Sequence, residues 1–200
     1  MHHPPFFLVT HPDVVISREV PVPRWPLSPR GFARMRAGLQ QAWVAGLTAI
    51  YCSTEQKAVD TATVLALHLA LPFTQIEALG ENDRSATGFL PPAEFEQVAD
   101  VFFARPTQSV RGWERAVDAQ ARMVRAVETI AAAEPANACI AIIAHGAVGT
   151  LLHCYLAGRE IDRRWDQPAN GGGNYFGFSV SPRKVFSGWQ AIDTHTQGLP

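Results

Sequence analysis

The 200-residue sequence predicts a three-layer α/β/α fold with a mostly parallel central sheet. Two apolar runs, residues 6–10 and 139–144, lack polar alternation and have the length of strands buried on both faces of a sheet. Stretches in which apolar residues recur at helical spacing alternate with such runs, as in folds with helices on both faces of a sheet. No repeat, low-complexity tract or flexible linker divides the chain, so one domain over residues 1–200 is expected, long enough to bury a sizeable core.

The elements follow in order. The first strand ends at His11, and a loop over 12–26 follows, broken by Pro21, Pro23 and Pro26. A helix then begins with Ser28 as N-cap and Pro29 at its first position, and Leu27 is placed to staple against Phe32. Phe32, Met35, Leu39 and Trp43 give it an apolar stripe reaching about Gly46. Residues 49–52 form a short second strand. Ser53 and Gln56 stand at capping-box spacing before a helix whose buried stripe is Ala58, Ala62, Leu65, Ala66 and Leu69. Residues 71–76 return to the sheet.

Residues 78–110 are the least regular, interrupted by Gly80, Gly88, Pro91, Pro92 and Pro106, with one short helix over about 94–103. They read as a lid-like insertion. Trp113, Val117, Val124, Val127 and Ile130 mark a long helix ending near Ala133. After the strand to Ala144 comes a helix from about 147 to 156, stopped by Gly158, and then two late strands, 175–180 and 189–192. Gly171-Gly172-Gly173 lacks the strand–glycine–helix context of a dinucleotide site and reads as a turn.

Composition narrows the function. The net charge is −1 and Lys and Arg are scattered, so no basic field points to nucleic acid or a membrane surface. Cys52, Cys139 and Cys154 are odd in number and lie in apolar surroundings, as expected of buried, reduced thiols in an intracellular protein. Met1-His2-His3-Pro4-Pro5 lacks the features of a signal peptide, and no run approaches the ~18 apolar residues needed to cross a bilayer. A cytoplasmic location is therefore expected; the oligomeric state is not encoded in any recognisable pattern.

Both apolar runs lead into a histidine, His11 and His145. The carboxyl ends of strands are where open α/β sheets place ligands, so the two histidines meet if their strands are neighbours. Lys57 falls in the first turn of a helix, whose free N–H groups already favour an anion. Two imidazoles and a cation there describe a phosphate pocket. One histidine can attack phosphorus while the other stabilises charge on the equatorial oxygens, and a loop acid such as Glu81 can protonate the leaving oxygen. His68 and His153 lie within helical patterns and read as structural; His2, His3 and His195 lie near the termini and read as exposed.

These residues resemble the histidine phosphatase superfamily, which includes the cofactor-dependent phosphoglycerate mutases. Thr10-His11-Pro12 stands for the family's Arg-His-Gly, and Pro26-Leu27-Ser28-Pro29-Arg30-Gly31 for Pro-Leu-Thr-x-x-Gly. The string from Cys52 to Ala62 resembles Ser-Ser-Pro-x-x-Arg-Ala-x-x-Thr-Ala, Leu79-Gly80-Glu81 the proton-donor segment, and Ala144-His145-Gly146 the second histidine motif. The resemblance covers nearly the whole chain in the right order. It implies a phosphoglycerate mutase-like fold and a phosphomonoester hydrolase acting through a phosphohistidine at His11. Glu81 and His145 would complete the catalytic set, and Thr10, Lys57 and Gly146 would bind phosphate. No metal or other cofactor is implied, and the partner is a phosphorylated small molecule or phosphoprotein. The length suits a small phosphatase better than a mutase.

Three departures stand out. Thr10 replaces an arginine, Pro12 a glycine, and Lys57 the second arginine. Ammonium lacks the planar fork of guanidinium, and losing one transition-state donor costs roughly 10²–10³ in rate. The alternative reading is thus a degenerate member that binds a phosphorylated ligand or a partner without efficient turnover. Arg18, Arg84 and Arg163 are the arginines available to compensate. A metal hydrolase using His11, His145 and Glu81 lacks a His-x-x-x-His pair, and a serine hydrolase lacks the Gly-x-Ser-x-Gly elbow.

Overall fold

The structure is a computed structural model that describes residues 5–194; His2, His3 and His195 lie outside them. Its strands are β1 (Phe6–Thr10), β2 (Ala49–Cys52), β3 (Thr74–Gln75), β4 (Ile140–Ala144), β5 (Asn174–Ser179), β6 (Lys184–Val185) and β7 (Gln190–Ala191). Its helices are α1 (Pro29–Gly38), α2 (Gln56–Leu69), α3 (Pro92–Ala104), α4 (Ala116–Ala133) and α5 (Gly146–Leu156). The strands form one sheet in the order β3-β2-β4-β1-β5-β6, with β7 also paired to β5. Pairing is parallel from β3 through β1, and β5 then runs antiparallel to β1.

The buried strands alternate between two cores. Leu8, Ile140 and Ile142 join the residues of α3, α4 and α5 on one face, whereas Val9, Ala141 and Ile143 join those of α1 and α2 on the other. This is the three-layer arrangement expected, and it explains why these strands are apolar except at Thr10. The 78–110 stretch contributes to that core through α3, which buries Val98, Ala99, Phe102 and Phe103.

Local signals set most boundaries. Ser28 Oγ accepts from the Gly31 N–H at 3.0 Å and caps α1 as expected. The helix ends at Gly38 rather than Gly46, because the chain turns before Trp43, which stacks on Phe7 at 4.6 Å. The return over 71–76 shortens to the two residues of β3, and Trp113 packs in the core just ahead of α4. Of the two late strands, the second is only Gln190–Ala191, and β6 is an addition to the pattern read from sequence.

The capping box before α2 is not formed. The cap residue is Glu55, whose side chain accepts no backbone N–H of the helix; the Gln56 amide instead donates to Asp60 at 2.7 Å. Ser53 is used elsewhere, as the site shows. Cys52, Cys139 and Cys154 are free cysteines, Cys139 only partly buried. No helix of the described residues is long and apolar enough to cross a membrane.

Candidate active site

Parallel pairing of β1 with β4 places Thr10 opposite Ala144, so the next residues, His11 and His145, emerge side by side. The His11 N–H donates to Ala144 O at 3.3 Å, and the two imidazoles meet edge to face with centroids 5.2 Å apart. Strand register alone thus joins the two histidines.

His11 is poised by its own backbone. Nδ1 lies 3.0 Å from Pro12 O, and a carbonyl only accepts, so Nδ1 carries the hydrogen and Nε2 presents a lone pair. Burial holds its pKa down to about 4, with the nearby Lys57 charge acting the same way. Beneath it runs the glycine turn. The Gly173 N–H donates to His11 O at 3.0 Å, and a Cβ on Gly172, at φ +75°, would stand 2.3 Å from that oxygen. Only glycine allows this approach.

His145 is fully buried. Its Nε2 lies 2.7 Å from Ser53 Oγ and 3.3 Å from Glu55 Oε1, while Nδ1 has no partner. A carboxylate beside Nε2 calls for a hydrogen there, leaving Nδ1 as the open nitrogen. Burial keeps the ring's pKa well below its ordinary value, although Glu55 opposes this.

Glu55 is the residue that reading the motifs missed. Its Oε1 also accepts the Glu81 N–H at 3.0 Å, and its Oε2 accepts from Lys57 Nζ at 2.5 Å. Burial alone would raise its pKa, but His145 and Lys57 outweigh burial and hold it at about 2. The signal available in the sequence was an acid at the mouth of a helix, a common place for a carboxylate.

Of the other expected site residues, Glu81 lies against the start of α5. Its oxygens accept from Ala147 N at 3.2 Å and Val148 N at 3.1 Å, capping the helix that begins at Gly146. Lys57 is buried, donating to Val22 O at 2.9 Å as well as to Glu55. Thr10 is buried, and its hydroxyl is held by Gln167 and Asn174. Its hydroxyl donates to Gln167 Oε1 at 2.7 Å and accepts from Asn174 N at 3.0 Å. That hydroxyl is thus engaged by neighbours on both its donor and acceptor sides. Gly146 gives Gln167 room, since a Cβ there would stand 2.6 Å from Gln167 Nε2.

Among the candidate compensating arginines, Arg163 is engaged by Glu96 and Asp100. Arg18 lies over Phe89 at 5.6 Å. Arg84 rests over Phe95 at 5.1 Å and Trp113 at 5.6 Å, with no carboxylate partner among the described residues. Its charge is felt by both His11 and His145.

The fold sets two histidines side by side at the carboxyl ends of neighbouring strands, with the Glu55–Lys57 pair beside them, an arrangement shared by a class of α/β proteins. The profile of the histidine phosphatase superfamily (branch 1) matches residues 12–176, and the chain belongs to that superfamily. Solved structures agree on the fold. A mycobacterial glucosyl-3-phosphoglycerate phosphatase in complex with inorganic phosphate superposes with a TM-score of 0.75 at 18% identity, covering 96% of this chain and 100% of its own. YhfR of Bacillus stearothermophilus gives 0.71 at 24% identity, covering 90% and 93%. An alpha-ribazole phosphatase from Shigella flexneri gives 0.69 at 15% identity, covering 98% and 99%. None of the curated proteins compared matches the sequence significantly.

Proposed function

We propose that the protein is a phosphomonoester hydrolase that works through a phosphohistidine at His11. One observation carries this reading: His11 Nδ1 faces the Pro12 carbonyl, which places the hydrogen there and leaves Nε2 with a lone pair beside His145, burial favouring the neutral ring. In the first step Nε2 bonds to phosphorus as the ester P–O bond breaks, and the leaving oxygen takes a proton from Glu81. In the second, water attacks phosphorus, the P–N bond breaks, and the water's proton returns to Glu81 as phosphate leaves. His145, drawing a proton onto Nδ1 when the anion arrives, would donate to a phosphoryl oxygen, with Glu55 stabilising the imidazolium.

The phosphatases it resembles in fold are named for phosphorylated small molecules, which favours a substrate of that class over a phosphoprotein. The free cysteines agree with a cytoplasmic location.

The test is hydrolysis of an aryl phosphate together with trapping of an acid-labile phosphoenzyme. His11→Ala is expected to lose both, with a rate loss beyond the roughly 10²–10³ of a single missing donor. Unchanged turnover in that variant would sink the reading. A second reading, ligand binding without efficient turnover, is favoured by Lys57 being neutralised by Glu55 and by Thr10 being tied to Gln167. It predicts phosphate-dependent thermal stabilisation without hydrolysis, and robust turnover excludes it.

A further inference from the structure

A second concavity lies between the C-terminal half of α5, the chain around 157–168, and the β6 hairpin. It is an open cleft of about 790 Å³, and none of His11, Glu55, Lys57, Glu81 or His145 lines it. His153, part of its wall, is eight residues beyond His145 on α5, hence about 12 Å along the helix.

Its charge is one-sided. Arg159, Arg164, Arg183 and Lys184 line it against one carboxylate, Asp166. That carboxylate faces inward: Oδ1 accepts from Thr150 Oγ1 and from the Gln167 N–H, each at 2.8 Å. Arg164 pairs with Asp162 at 2.7 Å, whereas Arg159, Arg183 and Lys184 have no carboxylate partner among the described residues. Arg159 and Arg183 are held over Trp165 (3.7 Å) and Tyr155 (4.6 Å), so these two guanidinium groups are already ordered.

Its apolar lining is partly aromatic. Phe186 is 50% exposed, an uncommon state for phenylalanine, and Trp189 lines the cleft beside it. His153, only 5% exposed, stacks with Trp189 and leaves its Nδ1 without a partner, although buried polar atoms are ordinarily bonded. An open cleft that offers exposed aromatic surface and several cations along its walls can make both kinds of contact with an aromatic anion.

We infer that this cleft binds a planar aromatic anion, an aromatic ring bearing a phosphate or sulfonate as in a mononucleotide. The ring lies against Phe186 and Trp189, and the anion sits among Arg159, Arg183 and Lys184. The anion is met by charge-assisted bonds, and the ring releases water from aromatic surface that is otherwise exposed.

Calorimetric and tryptophan-fluorescence titrations of the full chain with AMP and with naphthalene-1-sulfonate test this. One-to-one binding is expected, weakened at least about tenfold by the exposed-site double substitution Arg159→Ala/Arg183→Ala. Adenosine and inorganic phosphate, each making half the contacts, should bind at least about tenfold more weakly than AMP. Binding should persist in His11→Ala and in the presence of orthovanadate, which competes for a phosphate pocket at His11. Displacement by vanadate would assign the binding to the histidine pocket and overturn the inference. So would indifference to the arginine substitutions, or the absence of saturable binding.

Discussion

The Lys57 ammonium is paired with the Glu55 carboxylate at 2.5 Å, and both side chains are nearly buried, 4% and 13% exposed. The cation expected to meet phosphate thus already has an anion, and that anion also stands 3.3 Å from His145. A phosphate entering this pocket must either displace Glu55 or have its charge balanced by a proton taken up on His145.

Glu55→Gln removes the charge while keeping an amide to occupy the space. Breaking a buried pair leaves Lys57 uncompensated, so urea denaturation should report a loss of roughly 3 kcal/mol. The freed ammonium should also bind anions better, and inorganic phosphate should raise the variant's thermal midpoint more than the wild type's. A smaller rise would show that Glu55 does not compete with phosphate.

Stability should fall with acid in a defined window. Folded His11 has a pKa of about 4 against 6.5 unfolded, so between these values the unfolded chain binds more protons. Its contribution is complete above about pH 6.5 and is lost as the pH falls toward 4, with a slope of about 1.4 kcal/mol per pH unit for a group titrating only in the unfolded state. His145 acts in the same direction. Glu55, at about 2 folded against 4.5, extends the loss to lower pH. Urea midpoints measured from pH 8 to 3 check this, and a midpoint that rises below pH 6.5 would contradict it. Nitrogen NMR of the imidazoles at pH 6 should find His11 neutral with Nδ1 protonated.

Thr10→Val keeps the shape and removes the hydroxyl. Gln167 Oε1 loses a donor and the Asn174 N–H loses its acceptor, for a cost of about 1–3 kcal/mol. Vanadate affinity should be unchanged, because the hydroxyl points into this network. A selective loss of affinity with unchanged stability would make Thr10 a phosphate ligand after all.

Arg84→Met retains an apolar chain over Phe95 and Trp113 while removing the unpaired charge near the histidines. KM for an aryl phosphate should rise about tenfold, the scale of one charge-assisted contact, with little change in the unfolding midpoint. An unaltered KM would leave the missing arginine without a replacement.

Much of this was legible in the chain because the signals are local. The Ser28 cap, the helical stripes and the unalternating strands each depend on residues a few positions apart. Local signals also misled where a distant partner won. Ser53 has capping-box spacing, yet its hydroxyl serves His145, 92 residues away. Thr10 stands where an arginine would hold phosphate, but Gln167 and Asn174 claim it from more than 150 residues away.

The layered fold and the burial of its strands on both faces were legible in the chain, which also marked His11 and His145 as partners if their strands are neighbours. Burial periodicity and strand-end position are properties of contiguous residues. Only the tertiary structure decided what surrounds those histidines: the Glu55 carboxylate on Lys57 and His145, the glycine turn beneath His11, and the direction of the Thr10 hydroxyl. Hydrogen bonds and ion pairs depend on distances set by strand register and loop packing, and residues that meet across the fold leave no periodic mark on the chain.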